Sequence, residues 1–407
     1  MEVRAGYKQT EVGVIPEDWD VKSIKEFADV KGGKRLPLGK FVVDRVTSHP
    51  YLRVTDMLPG GVNLNDIKYV PEEAFPSIKN YRISIDDIFI SVAGSLGIVG
   101  KIPIELDGAN LTENADKITN IVCDRDFLLY NMMSDRIQGI IDSGKTVGAQ
   151  PKLAIAQIEK FKVALPAKRH EQHAIASALS DVDALLAKFD QFIAKKRDLK
   201  QAAMQQLLTG HTRLPGFSGE WEVKRLGDIT SPRKERVDPR KVGTQAFCVE
   251  LEHIEQGKGC LVGSCSTGDG SSLKSVFHAE DVLFGKLRAY LRKYWLADRS
   301  GVCSTEIWVL VANRNLTSPA FLFQIVKLDS FIETASSAYG THMPRSDWNV
   351  VKNYEVAIPK LDEQTAIATA LSDMDAELAA LETRRDKTRA LKQGMMQELL
   401  TGKIRLV

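Results

Sequence analysis

The sequence predicts an α+β protein with two α/β domains separated by two long helices that form an antiparallel coiled coil, the halves being related by an internal pseudo-twofold duplication. Three observations predict it: a long repeat, a heptad pattern within that repeat, and strand-rich segments between its copies. At 407 residues, the chain exceeds the roughly 250–300 residues at which single cores stop growing. The predicted boundaries are 1–165 for the first domain, 166–212 for the first long helix, 213–359 for the second domain and 360–407 for the second long helix.

The repeat is the strongest signal in the chain. Residues 171–214 align without a gap to residues 363–406, at an offset of 363 − 171 = 192, with 26 identities in 44 positions. A fainter repeat lies at the start of each domain, where Trp19 and Trp221 occupy equivalent places and are expected to anchor the core. Such agreement indicates a duplication that kept a common frame and changed the segments between its markers.

Each copy of the repeat predicts one long helix. Apolar residues recur at heptad spacing without an internal proline, over about 40 residues or roughly 60 Å, and Gly210 and Gly402 follow as helix stops. A narrow apolar seam needs a partner, and the duplicate copy, paired antiparallel, is the favoured one. Two alternatives are packing of each helix on its own domain and a bundle between copies of the chain. The predicted seam consists of Ile175, Leu179, Val182, Leu186, Phe189, Ile193, Ile367, Leu371, Met374, Leu378 and Leu381.

The segments between the repeats are typical of irregular, strand-rich α/β domains. Strands are predicted at residues 81–84, 88–92, 118–122, 282–284 and 306–311. A helix is predicted ahead of each repeat, at 128–141 and at 319–334.

The best chemical signal is residues 286–295, in which four cations alternate with three aromatic residues. Lysine and arginine neutralise phosphates or contact guanine edges, and aromatic rings pack on sugars or bases. As a strand, the segment would place alternate side chains from 286 to 292 on one face, although a charged edge strand would have the same pattern. Weaker basic clusters lie at 31–35, where Gly32 and Gly33 would admit a phosphate to the backbone, and at 233–236. The DNA-binding candidates are Lys286, Arg288, Tyr290, Arg292, Lys293, Lys31, Lys34, Arg35, Arg233 and Lys234.

No catalytic residue and no metal site are predicted. Residues 139–146 fit the P-loop expression, but a predicted helix precedes them where a P-loop needs a strand. Five residues of the second half could gather around a metal, but they lack zinc-finger spacing: His253, Cys260, Cys265, His278 and Cys303. The chain start has no apolar leader segment and no apolar stretch approaches the roughly 20 residues that span a bilayer, so a cytoplasmic protein without a membrane partner is expected.

The order of these features resembles the specificity subunits of type I restriction-modification enzymes. The resemblance covers nearly the whole chain and is most specific at residues 7–16, 213–217 and 361–364. It implies that the variable domains are target recognition domains, each reading one half of a bipartite site in double-stranded DNA. It also implies that the helices set the spacing and dock two methyltransferase subunits, with restriction subunits joining the full complex.

The resemblance further implies that this chain binds no cofactor, because S-adenosylmethionine, ATP and magnesium would be bound by the partner subunits. Three other functions fit some of the same features. They are a stand-alone tandem-domain DNA-binding regulator, an interaction scaffold that does not touch DNA, and an enzyme built on residues 139–146.

Overall fold

The structure is a computed structural model that describes residues 4–144, 152–268, 272–337 and 344–406. The chain divides into two compact units, and each long helix contributes to both. Unit 1 comprises residues 1–188 and 384–407, and unit 2 comprises residues 189–383. Among the described residues, no helix is long and apolar enough to cross a membrane.

The first variable domain is built from short strands and short helices, followed by the first long helix, α5. Its elements are β1 (Tyr7–Thr10), β2 (Gly13–Pro16), β3 (Trp19–Ser23), β4 (Asp29–Gly32), β5 (Pro50–Leu52), β6 (Met57–Leu58), β7 (Gly61–Val62), β8 (Lys68–Tyr69), α1 (Phe75–Ile78), β9 (Ile88–Ser91), β10 (Val99–Gly100), β11 (Asn110–Leu111), β12 (Ala115–Thr119), α2 (Arg125–Met133), α3 (Asp135–Ser143), α4 (Ile155–Ile158), β13 (Lys162–Pro166) and α5 (Arg169–Leu208).

The second variable domain repeats this arrangement with different details and leads into the second long helix, α11. Its elements are β14 (Glu222–Arg225), α6 (Leu226–Ile229), β15 (Thr230–Pro232), β16 (Arg236–Val237), α7 (Pro239–Val242), β17 (Cys248–Val249), β18 (Lys274–Phe277), β19 (Val282–Gly285), β20 (Tyr294–Leu296), β21 (Gly301–Ser304), β22 (Ile307–Ala312), α8 (Pro319–Ile325), α9 (Asp329–Ser336), α10 (Trp348–Val351), β23 (Glu355–Ile358) and α11 (Leu361–Leu399).

Both domains contain the same four-stranded antiparallel sheet. The strand order is β10-β9-β12-β4 in the first domain and β20-β19-β22-β15 in the second. The central strands β9 and β19 are buried along their whole length, as expected for strands covered on both faces. In each domain a further antiparallel pair, β3 with β13 or β14 with β23, joins the start of the domain to its end. The duplicated frame seen in the sequence is therefore present in the fold.

The other sheet differs between the domains. In the first domain it has the order β11-β5-β8, and in the second β16-β18-β21-β17. Each contains one parallel pair, β5 with β11 and β17 with β21, but the added strands attach to different members of that pair. The two domains thus share one sheet and differ in the other.

The long helices are paired antiparallel, as predicted. In unit 1 the start of α5 packs against the end of α11, with Ile175 and Leu399 in one buried cluster and an ion pair of 2.6 Å between Lys392 and Asp183. In unit 2 the end of α5 packs against the start of α11, and Lys200 pairs with Asp375. The two ion pairs join equivalent positions of the two repeat copies, because 183 + 192 = 375 and 200 + 192 = 392. All eleven predicted seam residues are buried or half-buried.

The alternative in which each helix packs on its own domain is also realised in part, because the first seam residues of α5 share their cluster with Trp19 and Phe127. Trp19 is fully buried and Trp221 is partly buried against the core of unit 2. Both tryptophans therefore belong to the cores of their domains, as expected.

Several predicted elements differ in detail. The strands at 88–92, 282–284 and 306–311 are present, whereas residues 81–84 form only one isolated bridge and the strand predicted at 118–122 covers Ala115–Thr119. The helix predicted at 128–141 is two helices, because Ser134 leaves helical geometry and its hydroxyl caps α3. The helix predicted at 319–334 likewise breaks before Asp329, where Leu328 leaves helical geometry with a ψ of 140°.

Candidate nucleic-acid interface

The basic cluster at 31–35 lies at the end of β4 and in the segment that follows it. Lys31 is exposed, with a long contact of 4.0 Å to Asp29. Lys34 lies over the Tyr81 ring, with its Nζ 5.6 Å from the centroid, and Arg35 donates to Glu113 at 2.6 Å while keeping 77% of its side chain exposed. Each of these three cations therefore has one contact within its domain, and each remains exposed to solvent, where a ligand can reach it.

A cavity of about 280 Å³ opens beside this cluster. Its lining combines cations with an amide and an aromatic ring, the side chains that contact phosphates and bases. The lining residues are Lys31, Gly32, Asn80, Tyr81, Arg82, Leu111 and Lys117. At Gly33 a Cβ would lie 2.0 Å from the carbonyl oxygen of Thr112, so close packing against the chain is sufficient to explain this glycine.

Residues 286–293 do not form the predicted strand. After β19 the chain makes a short 3₁₀ turn at Ala289–Leu291, with Arg288 and Arg292 in left-handed geometry at φ 55° and 50°. The alternation of faces therefore breaks, and the prediction that Lys286, Arg288, Tyr290 and Arg292 share one face was wrong. Backbone hydrogen bonds from outside the sheet hold the turn, including one of 2.9 Å from the Arg288 N–H to the carbonyl oxygen of Pro344.

The structure separates the candidates of the second domain into two groups. Lys293 donates to the carbonyl oxygens of Leu251 and Ile254 at 2.7 and 3.0 Å, and Arg292 pairs with Asp329. Arg233 makes two hydrogen bonds of 3.0 Å to a buried carboxylate, that of Asp281. These three side chains hold loops in place. Lys234, Arg288 and Tyr290 are exposed, whereas Lys286 is half-buried like the three paired cations.

Other exposed basic residues were not among the candidates. In the first domain Lys40 and Arg45 lie beyond the cluster at 31–35, and in the second Arg236, Arg240 and Lys241 follow Lys234. Arg236 lies within the predicted basic cluster at 233–236, although it was not named as a candidate. The other four residues continue one of the two predicted clusters, so a wider sequence window would have included them. Apolar residues beside them are exposed too, with Phe41 at 78%.

One buried acid lies close to this surface. Asp116 on β12 is 5% exposed, and burial raises the pKa of its carboxyl to about 6, while the Lys152 ammonium opposes this rise. Because β12 pairs directly with β4, Asp116 belongs to the sheet that supports Lys31.

The described residues offer no group of three or more histidine, cysteine, aspartate or glutamate side chains that could hold a metal. Residues 139–143 of the P-loop-like segment lie in α3, which agrees with the helix predicted there, and Lys145 and Thr146 lie outside the described residues. The thiols of Cys248 and Cys303 are buried, and burial raises the pKa of Cys248 to about 12. A thiol with so high a pKa is a poor nucleophile.

Two buried ion pairs of the shared frame were not anticipated. Arg213 donates to both oxygens of Glu363 at 2.5 Å, and Arg405 donates to both oxygens of Glu171 at 2.5 and 2.9 Å. Each guanidinium also lies over the tryptophan that anchors its domain, 5.4 Å from the ring centroid of Trp221 for Arg213 and 5.9 Å from that of Trp19 for Arg405. All four charged residues are identical between the two copies of the repeat, and this identity is the sequence signal from which the ion pairs could have been predicted.

The glutamine after each buried glutamate joins the long helix to its domain. Gln172 accepts from the Asp124 N–H at 2.8 Å and donates to the Pro166 carbonyl oxygen at 2.8 Å. Gln364 accepts from the Ser318 N–H at 2.9 Å and donates to the Pro359 carbonyl oxygen at 2.9 Å. The repeated glutamine therefore joins the start of each long helix to the end of the domain before it and to the N-terminus of α2 or α8.

Comparison with known proteins gives one consistent family. The model of the type I restriction modification DNA specificity domain matches residues 16–194 and again residues 218–389. The chain is 23% identical to the type I restriction enzyme MjaVIII specificity subunit of Methanocaldococcus jannaschii, over 96% of this chain and 94% of that protein. It is 21% identical to the type I restriction enzyme EcoDI specificity subunit of Escherichia coli, over 97% and 89%.

A solved structure has the same fold. The S subunit of a type I restriction-modification system from M. genitalium superposes with a TM-score of 0.56 at 15% identity, covering 98% of each chain. Two family matches that together cover most of the sequence, each falling on one half of the duplication, settle the family. The chain belongs to the type I restriction-modification DNA specificity family.

Proposed function

We propose that this chain is a non-catalytic DNA-reading subunit, in which each variable domain reads one half of a bipartite site. The long helices would fix the distance between the half-sites and dock two methyltransferase subunits. S-adenosylmethionine would be bound by those partners, which would methylate adenine after flipping it from the duplex. ATP and magnesium would be bound by restriction subunits in a larger complex.

The observation that carries the proposal is a duplicated frame with unlike surfaces. The buried ion pairs, the four-stranded sheet and the helix pairing are the same in both halves, while the second sheet and the exposed cations differ. A bipartite site with two different half-sites needs two readers of different chemistry on one scaffold, because base identity is read by side chains that differ from site to site.

A row of exposed apolar side chains on α5 supports docking of a protein partner. Leu185, Phe192 and Leu199 lie seven residues apart and are 44%, 46% and 49% exposed. Heptad spacing places them along one side of the helix, outside the seam that α11 covers. Apolar rows of this kind mark surfaces that bind another protein.

The test is co-expression of the chain with the methyltransferase subunit encoded beside it, followed by mapping of N6-methyladenine in the host DNA. We expect methylation at one split motif. Replacing residues 24–165 with the matching segment of another specificity subunit should change one half of the motif and leave the other half and the spacer as they were. Replacing residues 226–358 is the matched control and should change the other half only.

Methylation that does not depend on this chain would refute the proposal. Tight, sequence-specific DNA binding by the isolated chain, with no effect on methylation, would instead identify a stand-alone regulator. DNA binding without salt dependence would contradict both, because phosphate neutralisation makes log affinity fall with log salt concentration.

A further inference from the structure

Residues 34–46 of the first domain form a loop, here called the 34–46 loop, that presents large apolar side chains to solvent. Leu38 is 105% exposed, Phe41 78% and Val46 73%. These are the three most exposed large apolar residues among those described, ahead of Val122 at 70%. Single exposed apolar residues are ordinary, whereas several close together in one loop are typical of an interaction surface.

The loop is held firmly on both sides of its tip. Leu36 is 8% exposed and belongs to a buried cluster with Tyr51 and Val70. The Lys34 N–H donates to the Leu111 carbonyl oxygen at 2.8 Å, and Val43 exchanges two backbone hydrogen bonds of 2.9 Å with Tyr69. The apolar tip is therefore presented from a fixed base.

The tip itself is a tight turn. The Lys40 N–H donates to the Pro37 carbonyl oxygen at 3.0 Å, and Gly39 has φ 80°, which a residue with a side chain rarely adopts. Glycine at the third position favours the turn locally, because that position of a type II turn needs a positive φ. Leu38 projects from this turn, and Phe41 follows immediately after it.

The charge around the tip indicates which kind of molecule the loop binds. The loop contains four cations, Lys34, Arg35, Lys40 and Arg45, against one acid, Asp44. Asp44 pairs with Lys68, outside the loop, and the contact of Lys40 with Glu73 is an exposed one of 3.3 Å. Arg35 pairs with Glu113 at 2.6 Å, so the surplus charge lies on Lys34, Lys40 and Arg45. An apolar tip with a net positive charge around it complements duplex DNA, because DNA carries phosphates on its outside and stacked base rings inside.

We propose that the 34–46 loop is a wedge: Leu38 and Phe41 insert between base pairs in the half-site of the first domain, while Lys34, Lys40 and Arg45 neutralise the phosphates on either side. Proteins that kink DNA from the minor groove use this combination of apolar side chains and cations. The inference rests on the proposed DNA-reading function and adds a mode of reading, through the ease with which a base step unstacks.

The second domain carries a smaller version of the patch. In the segment after β15, Val242 is 60% exposed and follows Arg240 and Lys241. Valine reaches less far than leucine or phenylalanine. Unstacking is therefore expected in the half-site read by the first domain and not in the other.

The experiment uses the complex of the full chain with its methyltransferase subunits and a duplex carrying the mapped site. 2-Aminopurine replaces adenines one at a time on either strand, except the adenines that are methylated, since those are flipped by the methyltransferase. The wedge variant is Leu38→Ser/Phe41→Ser, and Ile104→Ser, at a position that is 68% exposed in the same domain, is the matched control. Phe41→Trp with Leu38 intact keeps an apolar tip.

We expect the wild-type complex and the Ile104→Ser control to raise 2-aminopurine fluorescence several-fold at one step of one half-site. The wedge variant should lose this signal and bind at least tenfold more weakly. Its slope of log affinity against log salt should be unchanged, because no cation is removed. Phe41→Trp should retain both affinity and fluorescence.

Site-specific binding by the wild type without any fluorescence rise, or equal binding by the wedge variant, would overturn the wedge and leave the proposed function intact. A wedge variant that no longer assembles with the methyltransferase subunits would also overturn it, since the loop would then be a protein-docking surface. A wild-type complex without site-specific binding would refute the proposed function itself.

Discussion

The Arg405–Glu171 pair should be among the most costly single interactions to break in unit 1. Glu171 is fully buried, and Arg405 satisfies both of its oxygens while also binding Asp18 at 2.8 and 2.9 Å. Arg405→Met would keep most of the apolar stem over Trp19 but remove the guanidinium. The Glu171 carboxylate would then be left buried without its charged partner.

The magnitude follows from this burial. Removing one partner of a buried pair costs about 3–5 kcal/mol, because an uncompensated charge remains. The contact with Asp18, whose side chain is 51% exposed, adds less than about 1 kcal/mol. We therefore expect about 3–5 kcal/mol for Arg405→Met. The double variant Glu171→Gln/Arg405→Met should cost about 1–3 kcal/mol less than the single one, since a neutral amide replaces the stranded charge.

The assay is denaturant unfolding combined with hydrogen exchange, because a protein with two units need not unfold in one step. Exchange in residues 13–23 and 169–188 reports on unit 1 alone. Lys403→Met, which removes an exposed pair with Glu398 at 3.4 Å, is the control and should cost less than about 1 kcal/mol.

A cost below about 1 kcal/mol for Arg405→Met, or a double variant as unstable as the single one, would refute the reasoning from the buried charge. The equivalent substitution Arg213→Met provides an internal repeat in unit 2. It should destabilise by a similar amount, because Glu363 is 2% exposed.

Three further predictions concern other parts of the chain. Burial raises the pKa of Asp116 to about 6, so the folded state is favoured while this carboxyl is protonated, and that advantage is lost as pH rises from about 4 through 6. Asp116→Asn should therefore stabilise the protein at pH 8 by up to about 3 kcal/mol and have little effect near pH 4. Denaturation measured as a function of pH tests this. Seven residues inserted after both 187 and 379 should lengthen the spacer in the methylation map by up to about three base pairs, since a heptad adds about 10 Å, whereas insertion in one helix alone should disrupt the pairing. Lys234→Ala should weaken DNA binding and reduce the salt dependence of binding, as a DNA titration would measure. Arg233→Met should instead lower the free energy of unfolding by about 3–5 kcal/mol, because the carboxylate that Arg233 binds is buried. Denaturation measures this second effect.

The sequence predicted the helices and their pairing because those features are local and repeated. Heptad spacing needs only near neighbours, and the duplication supplied the partner. The strands at Ile88–Ser91 and Val282–Gly285 were found for the same reason, since a short buried strand is a run of apolar residues.

The turn at 286–293 could not be predicted from alternation of side chains. Its path depends on left-handed geometry at two arginines, which few non-glycine residues adopt. Distant groups hold that geometry, among them the carbonyl oxygens that bind Lys293, and they lie about 40 residues away in the chain. Tertiary contacts of this range leave no local pattern. The buried ion pairs were missed for the same reason, although repeat identity at charged positions could have indicated them.

The position of charge on the shared frame distinguishes the two domains. The connection between β9 and β10, residues 92–98, contains no charged residue, whereas the equivalent connection between β19 and β20, residues 286–293, contains four cations. Both domains place further cations in the connection after β4 or β15, but only the first combines them there with leucine and phenylalanine side chains that are highly exposed. Because the four-stranded sheet is the same, such a change alters the surface without altering its support. One frame can thus present two surfaces that differ in chemistry, as the proposed reading of two unlike half-sites requires.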